Sequence, residues 1–193
     1  MSSNLKNIFV IFAPGGGGNH LANLISTDKN FTSRFDVKDY YDNTNTAHYI
    51  DQKLLLQKDK IDLKKILKSQ GVYHSHLHSF LGFGFAKVLK KQFVILTMPE
   101  LHSKGFNRMK SLFPTYNSHL IYEELKWLYT TDNLSKFLNI NEPCIEINGQ
   151  DLFEDENFID NLATKCKDFG LSIDKNMCYE THRLWLSKIF KNS

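Results

Sequence analysis

The sequence predicts an α/β fold of three layers, α/β/α, around a central and mainly parallel sheet. Three observations carry that expectation. Residues 8–13 (IFVIFA), 93–97 (FVILT) and 144–147 (CIEI) are short apolar runs rich in β-branched and aromatic side chains, suited to strands covered on both faces. Segments of helical periodicity stand between these runs, and strands that alternate with helices build parallel sheets with helices on both sides. No internal repeat, proline-rich linker or low-complexity tract divides the 193 residues, which suit a single domain.

Composition narrows the function classes. The net charge of +3 is mild and permits an anionic ligand. No basic block with interleaved aromatics appears, so no nucleic-acid partner is expected. The first apolar run is too short to span a membrane and leads into glycines rather than a cleavage site, so neither a membrane partner nor a targeting segment is expected. Cys144, Cys166 and Cys178 are odd in number and lack CxxC spacing, which reads as reduced thiols and a cytoplasmic location. Arg34, Arg108 and Arg183 are the whole supply of arginine, the side chain best suited to clamping anions.

In chain order, residues 8–13 are the first strand, and Pro14 ends it because proline cannot donate to a central ladder. Gly15, Gly16, Gly17 and Gly18 follow. Asn19 is read as the cap of a helix over residues 20–25. Residues 34–41 alternate weakly as a second strand, residues 42–48 form a loop, and residues 54–67 fit a helix stopped by Gly71. Residues 72–76 (VYHSH) are a short strand, and residues 79–91 turn from loop into helix. After the strand at 93–97 and the break at Pro99 come helices at 101–113 and 118–129, the second with Ile121, Leu125 and Leu128 on its inner face. A short helix or turn spans 134–140. The strand at 144–147 is read as buried, Asn148-Gly149 as a turn, and residues 158–169 and 174–190 as the closing helices.

The stretch that organises the rest is strand, glycine loop, helix N-terminus. That geometry wraps backbone N–H groups round a phosphate or sulfate. A plain flexible connector is the competing reading. Against GxxxxGK[ST], Asn19 stands for the lysine, His20 for the hydroxyl and Ala13 for the first glycine. The dinucleotide pattern GxGxxG fails too, with Leu21 and Ala22 where glycine belongs.

His74, His76 and His78 spell HSHLH. One of them is a general base beside the loop, the three bind a metal, or the cluster has no role. His20 lies at a helix N-terminus, where the dipole disfavours its charged form and suits a neutral imidazole that donates to an anion. Lys104 and Arg108 follow the second apolar run, where a further phosphate would lie, and Ser103 can bond the same group. A solvated face also explains the two charges. Trp127 and Trp185 read as core.

With these motifs in place, the chain resembles the sulfotransferase family, a branch of the phosphate-loop (P-loop NTPase-like) fold that uses phosphoadenosine phosphosulfate. The family's opening PKSGTTWL loop is matched by residues 14–21, PGGGGNHL. Its KTHLP-like stretch is matched by His76-Leu77, and its RNPxD-like turn with a later serine by VILTMPE and Ser103. Its late YEDL segment, acidic patch and FLGL.D ending are matched in order by residues 144–174, through Asp151-Leu152 and Phe169-Gly170-Leu171. The resemblance implies sulfuryl transfer to a hydroxyl or amine on a small-molecule or carbohydrate acceptor. It implies His76 and His20 as catalytic residues, with no metal. It implies a cofactor site, which also holds adenosine 3′,5′-bisphosphate, at Gly15, Gly16, Gly17, Gly18, Asn19, Thr97, Ser103 and Arg108. The loop lysine is missing, and Thr97 stands where the 3′-phosphate arginine belongs. Two other readings stay open: a small-molecule kinase with a degenerate loop, and a nucleotide-binding domain without turnover.

Overall fold

In the computed structural model, the described residues are 7–31, 48–49, 71–76 and 91–190. The expectations for residues 34–41, 54–67 and most of 79–91, and that for His78, lie outside them. Five parallel strands form one sheet: β1 (Asn7–Phe12), β2 (His48–Tyr49), β3 (Val72–Ser75), β4 (Lys91–Leu96) and β5 (Cys144–Ile147), in the order β2-β3-β1-β4-β5. The helices are α1 (Gly18–Ile25), α2 (Lys104–Leu112), α3 (His119–Leu128), α4 (Thr131–Leu138), the one-turn α5 (Asp151–Glu154), α6 (Phe158–Asp168) and α7 (Lys175–Phe190). A 3₁₀ turn at Pro114–Asn117 joins α2 to α3.

β1 is central, with Val10 opposite His74 of β3 and Val94 of β4. Every residue of β1 is buried, as an apolar run without alternation requires of a strand covered on both faces. Alternate residues feed two cores. Ile8, Val10 and Phe12 point to one, with Val94, Leu96, Ile145 and Ile147 and with side chains of α1, α6 and α7. Phe9 and Ile11 point to the other, with Phe93, Ile95 and side chains of α2, α3 and α4. Phe9 there stacks on Tyr73 at 5.4 Å and tilts against Phe93 at 5.6 Å, lateral aromatic pairs that lock the register of three strands. The result is a three-layer α/β/α fold.

Several boundaries and faces correct the sequence reading. α1 begins at Gly18 with Gly17 as its cap, so Asn19 lies inside the first turn. His48 opens a strand rather than closing a loop, and Lys91 opens β4. β5 is a half-buried edge: Ile145 and Ile147 face the core, while Glu146 faces out and accepts bonds from the backbone and hydroxyl of Thr131. The inner face of α3 centres on Tyr122 rather than on Ile121, because Tyr122 packs edge-on against Phe106 and donates to the Pro99 carbonyl. Trp127 is 65% exposed, not core.

The thiols of Cys166 and Cys178 are buried, which pushes them up to about 12 and about 11. No helix among the described residues is long and apolar enough to cross a membrane.

Candidate anion site at the end of the central strand

β1 leads to α1 on one face, whereas its neighbour β4 leads to α2 on the other. In parallel sheets the crevice at such a divergence, beyond the carboxyl ends of the strands, is where ligands sit. A cavity of about 400 Å³ opens there, lined by the glycine loop, His20, His76, Arg108 and Trp185, with Phe12, Leu112 and Phe113 as apolar walls.

The loop is built by its glycines. Gly16 donates to the Ala13 carbonyl at 3.0 Å and closes a tight turn. Gly17 has φ +86°, a left-handed conformation that a side chain resists. A Cβ on Gly18 would lie 2.0 Å from the ring of Phe12. The chain's own packing therefore demands these glycines, and the same packing leaves the loop backbone facing the cavity. The first helical bond of α1 runs from Leu21 N–H to Gly17 C=O at 3.0 Å. The N–H groups of Gly18, Asn19 and His20 precede it, and these are the donors a helix N-terminus offers to an anion.

Arg108, on α2, brings a positive charge to this loop. Its guanidinium donates to the Gly15 carbonyl and lies 5.7 Å from the centre of the Trp185 ring. Partial burial lowers its pKa from the usual arginine value. Stacked on a ring and anchored to the loop, the charge is fixed beside the helix N-terminus.

His20 is 3% exposed. Its ring lies parallel to Trp185 at 4.1 Å, and its Nε2 is 2.9 Å from Nδ1 of His182 on α7. Burial first, then His182, then Arg108 hold the His20 pKa well below the usual histidine value. Burial takes that of His182 down to about 4. Both rings are therefore neutral near pH 7.

His76 sits immediately beyond β3 and is half-buried against Phe12, edge to face at 4.8 Å. Its Nδ1 is 3.2 Å from the Phe12 carbonyl. A carbonyl only accepts, so Nδ1 carries the hydrogen and Nε2 is the basic nitrogen of the neutral ring. His74, two residues earlier, is fully buried in the sheet. Among the described residues, no group of three or more His, Cys, Asp or Glu side chains is arranged to hold a metal ion.

Of the sequence-predicted site residues, the cavity gathers Gly15, Gly17, Gly18, Asn19, His20, His76 and Arg108, with Gly16 in the same turn. Thr97 and Ser103 are not among its lining. The Thr97 hydroxyl accepts from the Gly149 N–H at 3.2 Å, and Ser103 caps α2 by accepting from the Phe106 N–H at 3.1 Å. Lys104 is not in the lining either, and its backbone N–H donates to Glu154 Oε1 at 2.7 Å. His182 and the site role of Trp185 are absent from the sequence reading, because they arrive on a helix more than 150 residues downstream with no motif spacing.

Comparison of the chain with protein-family models, with curated proteins and with solved structures finds no match.

Proposed function

We propose that this cavity binds the phosphosulfate end of phosphoadenosine phosphosulfate and that the protein is a sulfotransferase. The observation that carries the reading is the meeting of three chemically distinct parts in one cavity: the N–H groups of the glycine loop, the Arg108 guanidinium and the His76 imidazole. Arg108 answers the missing lysine, because it brings a cation to the same loop from α2. Bound there, the cofactor supplies the sulfuryl group: the acceptor oxygen or nitrogen bonds to sulfur as the bond to the bridging oxygen breaks and adenosine 3′,5′-bisphosphate leaves. His76 takes the acceptor's proton on Nε2, with Nδ1 anchored to the backbone so that the ring keeps its orientation. The loop N–H groups and Arg108 meet the negative charge on the leaving side.

A second reading, anion or nucleotide binding without turnover, draws on the engagement of Thr97 and Ser103, which leaves the 3′-phosphate without the partners that the resemblance implies for it. The two readings separate in a paired experiment. A sulfotransferase should be stabilised thermally by adenosine 3′,5′-bisphosphate more than by ATP with magnesium, since a ligand that binds only the folded state raises Tm. It should also turn over some member of a phenol, alcohol, amine and carbohydrate panel. Stabilisation with no turnover supports the binding module, and greater stabilisation by ATP with magnesium supports a kinase.

A further inference from the structure

His182 has no part in the sequence motifs, yet it makes the one hydrogen bond of the His20 side chain seen among the described residues. His20 occupies the third position of α1, in the first turn, whose Gly18 and Asn19 also line the cavity. Its ring is clamped by Trp185 on one face and by the 2.9 Å contact with His182 at Nε2. Nδ1 has no hydrogen-bond partner among the described residues, and the ring lines the cavity. A neutral imidazole carries one N–H, so the partner of one nitrogen decides what the other presents.

The loop N–H groups and the Arg108 guanidinium that line this place are donors, and the Asn19 amide beside them can turn its NH2 to a ligand. An oxyanion seated there requires N–H, not a lone pair, at His20 Nδ1. His20 Nε2 must then accept, and His182 Nδ1 must be the donor. We propose that His182 is a positioning residue that holds His20 in its Nδ1–H tautomer, so that His20 adds a neutral donor to the oxyanion cradle of the glycine loop. The two-ring arrangement supplies that donor without a second charge beside Arg108. The inference rests on the proposed function only in taking the ligand to be an oxyanion.

The test uses the full chain with ¹⁵N-labelled histidine and inorganic phosphate as the probe. With phosphate bound, His20 Nδ1 should give the pyrrole-like ¹⁵N signal of a protonated nitrogen and Nε2 the pyridine-like signal. His182→Asn places an amide where Nδ1 was and should keep phosphate affinity within about threefold, whereas His182→Leu should weaken it by about tenfold, as loss of one hydrogen bond predicts. A pyridine-like Nδ1 on phosphate-bound His20 overturns the assignment. So do equal affinities of the Asn and Leu variants, or no phosphate binding by the wild-type chain. If the Leu variant does not fold, the wild-type spectrum still decides. A parallel titration with adenosine 3′,5′-bisphosphate keeps the two proposals apart: its failure beside the expected phosphate results removes the sulfotransferase reading and leaves the role of His182 supported.

Discussion

The loops that leave β1 and β4 stand side by side at the carboxyl end of the sheet, and the sequence offers both as anion sites. They end in opposite states. After β1 the backbone turns through left-handed glycines, and Gly18, Asn19 and His20, whose N–H groups precede the first helical bond of α1, line an open cavity with Arg108. After β4 the polar groups are engaged by the protein: Thr97 with Gly149, Ser103 with Phe106, the Pro99 carbonyl with Tyr122, Glu100 with Lys126. Even the approach of the 148–149 turn is closed, since a Cβ on Gly149 would lie 2.0 Å from the Thr97 carbonyl oxygen. A glycine or a hydroxyl at a strand end is a site only where the surrounding fold leaves its donors unengaged. Elsewhere the same residues hold the scaffold together.

The largest effects are expected at the glycines that pack against the chain itself. Gly18→Val should prevent folding or destabilise beyond the 1–3 kcal/mol usual for overpacking, because its Cβ would lie 2.0 Å from the Phe12 ring. Gly170→Ala is the control: φ is +77° but nothing lies within 4 Å, so the cost should be about 1–2 kcal/mol in chemical denaturation. Equal costs would mean that the loop is not the tight element described above.

On the proposed function, in which His76 is the general base, His76→Ala should lower turnover by about 10²–10⁴-fold while nucleotide affinity changes little, since such a base meets the acceptor rather than the cofactor's phosphates. Steady-state kinetics with a calorimetric Kd check this, and an active enzyme indifferent to His76→Ala removes it from the mechanism.

A smaller effect is expected from acid. Both buried imidazoles have folded pKa values below the unfolded value of about 6.5, so the unfolded chain binds more protons in between and stability rises with pH. Their contribution is complete above about pH 6.5 and is lost as pH falls toward the His182 value of about 4. Arg108 adds repulsion to a protonated His20. His182→Asn should therefore lose less stability than the wild type between pH 6.5 and 4, measured as Tm against pH. Parallel curves would show that the pair does not titrate on unfolding.

Much of the fold was legible because strand burial writes itself as an apolar run, and β1 and β4 carry runs without a single internal charge. β5 departs from the sequence expectation for the same reason: CIEI is apolar enough to suggest a buried strand, but its edge position turns Glu146 outward to accept from the first N–H of α4. The site was legible where it is local. Residues 15–20 are one continuous stretch, the loop and the first turn of α1, and HSHLH places a histidine at a strand end. Its distant parts were not. Trp185 and His182 reach the loop from α7 at helical spacing that resembles ordinary core, and only tertiary packing sets them against His20. Thr97 and Ser103 matched a motif by position, but a sequence does not show that a hydroxyl is already bonded to Gly149 or to the first turn of its own helix.

The most direct test of the central claim, that the anion site belongs to the β1 loop and not to the β4 loop, is isothermal titration of adenosine 3′,5′-bisphosphate into three variants. Arg108→Gln should weaken binding by about tenfold or more, because a charge-assisted bond contributes about 1.5–3 kcal/mol. Thr97→Val and Ser103→Ala should leave affinity within about twofold and instead lower stability, by about 1 kcal/mol for the lost helix cap. Loss of binding in the Thr97 and Ser103 variants, with Arg108→Gln unaffected, would contradict the account.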